Sequence, residues 1–214
     1  MKPFLLVLSS PSGGGKTTIA RMLLQGRDDV GYSVSATTRP RRPKERDGVD
    51  YHFLSRAEFL RRAEAGEFLE HAVYNGELYG TLRAEVERVL GSGRHVVLDI
   101  EVAGARQIRA CFENSVLVYV LPPSIDVLIK RLRGRRTESD DGLHARLRTA
   151  AEELLAVSEY DYAVLNDDLV VAVEQVAAII DSEIRRVDRQ PDLSRFTDRL
   201  RRDLLAEIRR EAGV

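Results

Sequence analysis

"FLLVLSSPSGGGKTTIARMLLQ", residues 4–25, decides the fold. An apolar run, Phe4 to Ser9, meets a glycine cluster, and Thr17 to Gln25 then follows with helical spacing. Short continuous runs of this kind suit strands covered on both faces of a parallel sheet. A glycine loop between such a strand and a helix aims backbone N–H groups, and the helix's partial positive charge, at an anion. Residues 10–17 nearly spell Gly-x-x-x-x-Gly-Lys-Ser/Thr, with Ser10 where the first glycine belongs. In that pattern Ser12, Gly13, Gly14, Gly15, Lys16, Thr17 and Thr18 cradle the phosphates of a nucleoside triphosphate. Lys16 reaches the β- and γ-phosphates and the Thr17 hydroxyl ligates Mg2+. Should Ser10 need a positive φ, it costs about 1–2 kcal/mol, which weakens the loop without abolishing it. A glycine-rich turn that binds nothing is the bland alternative. The Lys-Thr pair in a full strand–loop–helix context favours the cradle.

Further along the chain the rhythm repeats. His95 to Ile100, Val116 to Leu121 and Tyr162 to Leu165 read as strands. Arg56–Ala65, Leu82–Leu90, Ile125–Leu132, Leu143–Leu155 and Val170–Val187 read as helices. Alternation of this kind predicts an α/β fold, a doubly wound parallel sheet. Residues 1–32 and 82–187 form the expected core domain. Residues 33–81, aromatic and punctuated by glycine, form a small mixed or antiparallel insertion. A charged, turn-prone lid is expected at about 133–145. Residues 188–214 carry a final amphipathic helix, with Leu193, Phe196, Leu200, Leu204 and Ile208 three or four apart. Its stripe is expected to cover its own domain, with a second subunit as the alternative.

The 214 residues suffice for one domain with a sizeable core. A formal net charge of -1 gives no global field toward nucleic acid or an acidic membrane. Cys111 is the only cysteine, which excludes an internal disulfide and fits a reducing compartment. No stretch approaches a membrane span, so a cytoplasmic protein is expected. His52, His71, His95 and His144 lack metal spacing and read as surface or packing histidines.

The acceptor is written elsewhere. "SVSATTRPRRP", residues 33–43, sets Arg39, Arg41 and Arg42 beside hydroxyls, and guanidinium forks grip phosphate in bidentate fashion. "DGVDYHFLS" (47–55), "GEFLEHAVYNGELYGT" (66–81) and "VVLDIEVAGARQIR" (96–109) follow in order. With these motifs the chain, from about residue 4 to 187, resembles the guanylate kinases, ATP-dependent GMP kinases of the nucleoside monophosphate kinase group. The resemblance implies that Ser35, Arg39, Arg42, Tyr51 and Tyr79 meet the acceptor nucleotide and its phosphate. It implies that Glu70 and Thr81 face guanine, and that Asp99 and Glu101 lie near GMP and, through water, the metal. Guanine offers N1–H and N2–H side by side, and one carboxylate accepts both. Adenine leaves that carboxylate unpaired, a loss that can discriminate by about 10⁴-fold or more. Asp99 also ends an apolar strand where doubly wound folds place their ligand crevice.

In "KRLRGRRTESDDGLHARLRTAAEEL", residues 130–154, the family pattern matches Arg131, Arg135 and Arg146, which the resemblance sets over the ATP phosphates. Lys16, Arg39, Arg135, Arg146 and Asp99 are the expected catalytic set. Glu152 and Glu153 read as solvated charges with ion-pair neighbours. Asn166 in "YDYAVLNDD" matches a region that lies near the adenine in the family. Ser10, Glu101, Ala103 and Arg136 depart from the pattern. The expected reaction is Mg2+-dependent phosphorylation of GMP, and of dGMP, by ATP, in a monomer or homodimer. A silent interaction module of the same fold is the alternative from another class, but it typically loses the lysine, acids or arginines kept here. A sugar-phosphate kinase is the third, and Glu70 with Ser35 and Thr81 argues against it.

Overall fold

The computed structural model describes residues 2–74, 76–133 and 140–211, with only the backbone for 140–145. Strand β1 (Leu5–Ser9) leads through the glycine loop into helix α1 (Lys16–Gly26), and β2 (Val30–Tyr32) follows. The insertion holds β3 (Ala36–Thr37), β4 (His52–Phe53), α2 (Arg56–Glu64), β5 (Phe68–Tyr74) and β6 (Glu77–Leu82). The chain continues with α3 (Arg83–Gly91), β7 (His95–Asp99), α4 (Val102–Cys111) and β8 (Ser115–Leu121). Then come α5 (Ile125–Arg133), α6 (Asp140–Leu154), β9 (Tyr162–Leu165), α7 (Leu169–Ile184) and α8 (Leu193–Glu211).

Five strands make a parallel sheet in the order β2-β7-β1-β8-β9. Both faces of β1 are buried because helices lie on both sides. Leu6 and Leu8 pack with Ile19 and Leu23 of α1 and with Val176 and Ile180 of α7. Leu5 and Val7 pack with Val86 and Val89 of α3 and with Ile108 of α4. The strand order jumps at β1, and a doubly wound sheet opens its crevice there, at the carboxyl ends of β1 and β7. Ser9 and Asp99 end those two strands.

The second sheet runs β4-β3-β6-β5, antiparallel except for the β3–β4 pair. Its register shifts between Phe68 and Glu70. An irregularity of this kind re-aims side chains, and three successive residues, Phe68, Leu69 and Glu70, are all buried.

Two elements were not expected from the sequence. The strand β2 has three residues, one of them Gly31, where a Cβ would lie 2.5 Å from a Val89 methyl. The helix α4 contains Gly104, which lowers its helical signal. One expectation is overturned. Helix α8 does not cover its own domain, for none of its residues is buried. The expected lid falls largely on residues 134–139, which include Arg135 and Arg136 and lie outside the described residues.

Candidate active site

The glycine loop takes its shape from two left-handed residues, Gly13 (φ 87) and Gly15 (φ 102), which side chains rarely adopt. Its crest is pinned from behind. The Asn166 amide, buried at the end of β9, donates to the Gly14 carbonyl at 2.8 Å, and Arg131 of α5 donates to the same oxygen at 3.3 Å. Arg131 also donates to the Asn166 carbonyl at 3.2 Å. Two N–H groups on one oxygen hold the Gly14 carbonyl toward β9 and α5, while the Gly14 N–H donates to the Pro11 carbonyl at 2.8 Å.

Lys16 opens α1 and reaches across to the end of β7. Its Nζ lies 2.8 Å from Glu101 Oε1 and 3.9 Å from Asp99 Oδ1. Burial alone would lower this ammonium's pKa, but the two carboxylates outweigh it and hold it above its ordinary value. Asp99 is shifted up by burial, which Lys16 and a Thr17 hydrogen bond oppose. Asp99 Oδ1 and Glu101 Oε2 are buried and accept no hydrogen bond among the described residues. Oxygen ligands beside a lysine and a threonine hydroxyl suit a small hard cation. No described cluster of His, Cys, Asp or Glu could hold a metal by itself.

Glu153 corrects the sequence reading. It is half-buried against the loop, where Ser12 N–H donates to its carboxylate at 3.3 Å. Burial and the neighbouring Glu101 push its pKa up to about 7. Tyr74 carries no motif that marks it in the sequence. Its hydroxyl contacts Ser12 Oγ at 3.3 Å and ties the second sheet to the loop.

Across the crevice the second sheet gathers a cationic cluster. Arg39 lies 5.4 Å from the centre of the Tyr51 ring, and the Tyr51 and Tyr79 rings are 6.1 Å apart. Glu45 organises this group: it binds the Arg39 guanidinium at 2.8 Å and accepts from the Arg42 backbone N–H at 2.8 Å. Only its position three residues after Arg42 could have signalled this. Arg42's own side chain is exposed, and Ser35 is half-buried.

Glu70 and Thr81 face each other across the β5–β6 pair. The Thr81 hydroxyl donates to Glu70 Oε1 at 2.7 Å. A Cβ on Gly104 would lie 2.5 Å from Glu70 Oε2, so the bare helix surface of α4 makes room for this carboxylate. Burial pushes the Glu70 pKa up to about 7 against the Thr81 hydrogen bond. The group thus stands at the threshold of ionisation and has acceptor capacity beyond Thr81. Arg146 lies half-buried on α6; Arg135 lies outside the described residues.

The described residues thus bring Lys16, Thr17, Asp99 and Glu101 to one end of a crevice. Arg39, Tyr51, Tyr79, Glu70 and Thr81 belong to the sheet tied to that crevice through Tyr74. The sequence profile described as Guanylate kinase matches residues 2–183. A guanylate kinase of Thermotoga maritima is 47% identical over 197 residues, 92% of this chain and 95% of its own length. One from Desulfitobacterium hafniense is 46% identical over 187 residues, 87% and 94% of the two chains. The crystal structure of guanylate kinase from Anaplasma phagocytophilum superposes with a TM-score of 0.74 at 34% identity, covering 90% of this chain and 92% of that one.

Proposed function

This chain belongs to the guanylate kinase family and transfers phosphate from ATP to GMP, and we propose the division of labour among its residues. The glycine loop, from Ser12 to Thr18, binds the ATP phosphates through its amides, and Lys16 bridges the β- and γ-phosphates. Lys16 leaves Glu101 to do so, and the phosphates replace one counter-charge by another. Thr17 and, through water, Asp99 and Glu101 would hold Mg2+, which would supply positive charge to the phosphate oxygens. Arg39, Arg42, Tyr51 and Tyr79 hold the GMP phosphate, with Ser35 beside them. Glu45 gives up Arg39 when that phosphate arrives. Glu70 accepts N1–H and N2–H of guanine, and Thr81 fixes the carboxylate for that task.

A GMP phosphate oxygen attacks the γ-phosphorus, the bond to the bridging β-oxygen breaks, and ADP leaves with that electron pair. Such transfer passes through a loose transition state, so positioning and electrostatic stabilisation carry the catalysis. Lys16, Arg39, Arg135 and Arg146 supply positive charge around the equatorial oxygens. No protein nucleophile is required. A deoxyribose acceptor fits as well, because no recognition proposed here touches the 2′-hydroxyl, and dGMP is a second substrate. Nucleotide substrates and a lone cysteine favour a cytoplasmic setting.

The single observation that carries the acceptor assignment is the buried Glu70 carboxylate, clamped by Thr81 and roofed by Gly104. A coupled assay of ADP release with GMP, dGMP, AMP and ribose 5-phosphate tests it. Release should depend on GMP or dGMP. Equal turnover with AMP would remove Glu70 from base recognition.

A further inference from the structure

Helix α8 spans Leu193–Glu211 and buries none of its 19 residues. Phe196, Leu200, Leu204 and Ile208 recur at intervals of four, so they share one face, and they are 47%, 46%, 63% and 59% exposed. The family profile ends at residue 183, before this helix begins. A helix so rich in charge owes its stability to whatever covers its apolar stripe.

The flanking charges identify the cover. At 3.6 residues per turn, Asp192, Arg199, Asp203 and Arg210 fall along one edge of the stripe and alternate in sign. Arg199 already leans over the stripe, with its guanidinium 5.6 Å from the centre of the Phe196 ring. Consider a second copy running antiparallel about a two-fold axis level with Arg201. Such an axis brings like edge to like edge. Arg199 then stands opposite Asp203 of the other copy, and Asp192 opposite Arg210, each contact occurring twice. The same axis sets Leu200 near its own copy and Phe196 near Leu204. A parallel pair would oppose Arg199 with Arg201 instead. Glu207 and Glu211 lie on the apolar face at its C-terminal end. A lipid surface would have to desolvate them.

We propose that α8 is a homodimerisation element: two copies pair antiparallel through the Phe196–Leu200–Leu204–Ile208 stripe, in the register set by Arg199 with Asp203 and Asp192 with Arg210. Arg201, on the other edge, meets its own copy at the axis. Register is thus written in charge and affinity in the stripe.

Sedimentation velocity on the full chain over a range of concentrations tests this. The wild type should be a dimer, and Leu200→Asp with Leu204→Asp should make it a monomer with unchanged kinase activity per chain. Arg199→Asp or Asp203→Arg alone should raise the dimer dissociation constant about 10-fold by setting like charges together. The two combined should restore it, because the pairs are then merely exchanged. Arg201→Ala should tighten the dimer. A chain that stays monomeric at about 100 µM, charge variants whose effects add rather than cancel, or a dimer indifferent to the leucine changes would each overturn the assignment. So would co-sedimentation of the wild type with phosphatidylserine vesicles in place of self-association.

Discussion

The side chain of Ser10 fills the space above Gly14: a Cβ built on Gly14 would lie 2.6 Å from Ser10 Cβ and 2.8 Å from its Oγ. Ser10 is fully buried, with its hydroxyl donating to the Pro11 carbonyl at 3.0 Å. The residue that breaks the phosphate-loop pattern therefore makes glycine necessary four positions later. Gly14→Ala should overpack the loop at a cost of about 1–3 kcal/mol. For a chain of this size that lowers the melting midpoint by about 2–4 °C per kcal/mol, and KM for ATP should rise. Adding Ser10→Gly empties the space and should recover most of both losses. Simple additivity of the two changes in calorimetry would show that the residues are not coupled.

Glu70 gives a signed pH dependence. Its folded pKa of about 7 lies above its ordinary 4.5, so the folded protein holds this proton more tightly than the unfolded chain does. Stability from this group is therefore greatest at low pH and is lost as pH rises through about 7, up to about 3 kcal/mol in all. Glu70→Gln removes the loss. The variant's melting midpoint relative to wild type should climb between pH 4.5 and 7 and then level off. Its use of GMP should fall at least about 100-fold while ATP binding holds. In the wild type, GMP binding below pH 7 should release a proton, because guanine's donors need the ionised carboxylate. Calorimetry in buffers of different ionisation enthalpy reads this directly, and no buffer dependence at pH 6 would contradict the assignment.

The legible parts of this chain were those whose physics is local. A run such as Leu5 to Leu8 buries both faces and says so, and Lys16 after glycines needs no distant partner to be read. Glu70 was legible only through its company in several motifs. What holds it in place, the register shift at Phe68–Glu70 and the bare surface at Gly104, is a relation between elements far apart in sequence. The same holds for Glu153. It reads as one more charge on a helix, yet it meets Ser12 across 141 residues. Strands of two or three residues, such as β2 and β3, lack the length for periodicity to register. The stripe of α8 is legible in the spacing of Phe196, Leu200, Leu204 and Ile208, but amphipathicity does not specify what covers it.

Asn166 controls the loop rather than only neighbouring it. Its amide is the shorter of two donors to the Gly14 carbonyl, and a Cβ on Gly15 would lie 2.2 Å from that nitrogen. Asn166→Ala deletes a buried hydrogen bond worth about 1–1.5 kcal/mol. Because the bond fixes the cradle, that energy should appear as a roughly 10-fold rise in KM for ATP, with KM for GMP unchanged. Initial-rate kinetics with each substrate varied in turn separate the two. A parallel rise in both constants would point to general loosening of β9 instead.

Behind the sheet, Arg189 and Glu183 form an ion pair in which each residue is almost fully buried. The pair is well furnished. The Tyr162 hydroxyl donates to Glu183 at 2.6 Å, and Arg189 donates to the Asn114 side chain at 3.0 Å and lies 4.6 Å from the centre of the Phe4 ring. Removing one partner strands the other charge in a poorly solvated place, which costs about 3–5 kcal/mol, whereas replacing both by apolar groups of like size is often neutral. Glu183→Leu and Arg189→Met should therefore each lower the melting midpoint by about 6 °C or more, at about 2–4 °C per kcal/mol. The double variant should recover most of the loss. Activity per folded molecule should stay at the wild-type level throughout, since the pair lies at the opposite end of β1 from the phosphate loop. Denaturant titrations of the four proteins close the cycle, and a double variant as unstable as the sum of the singles would mean that the ion pair itself, and not the avoidance of a lone buried charge, holds this corner together.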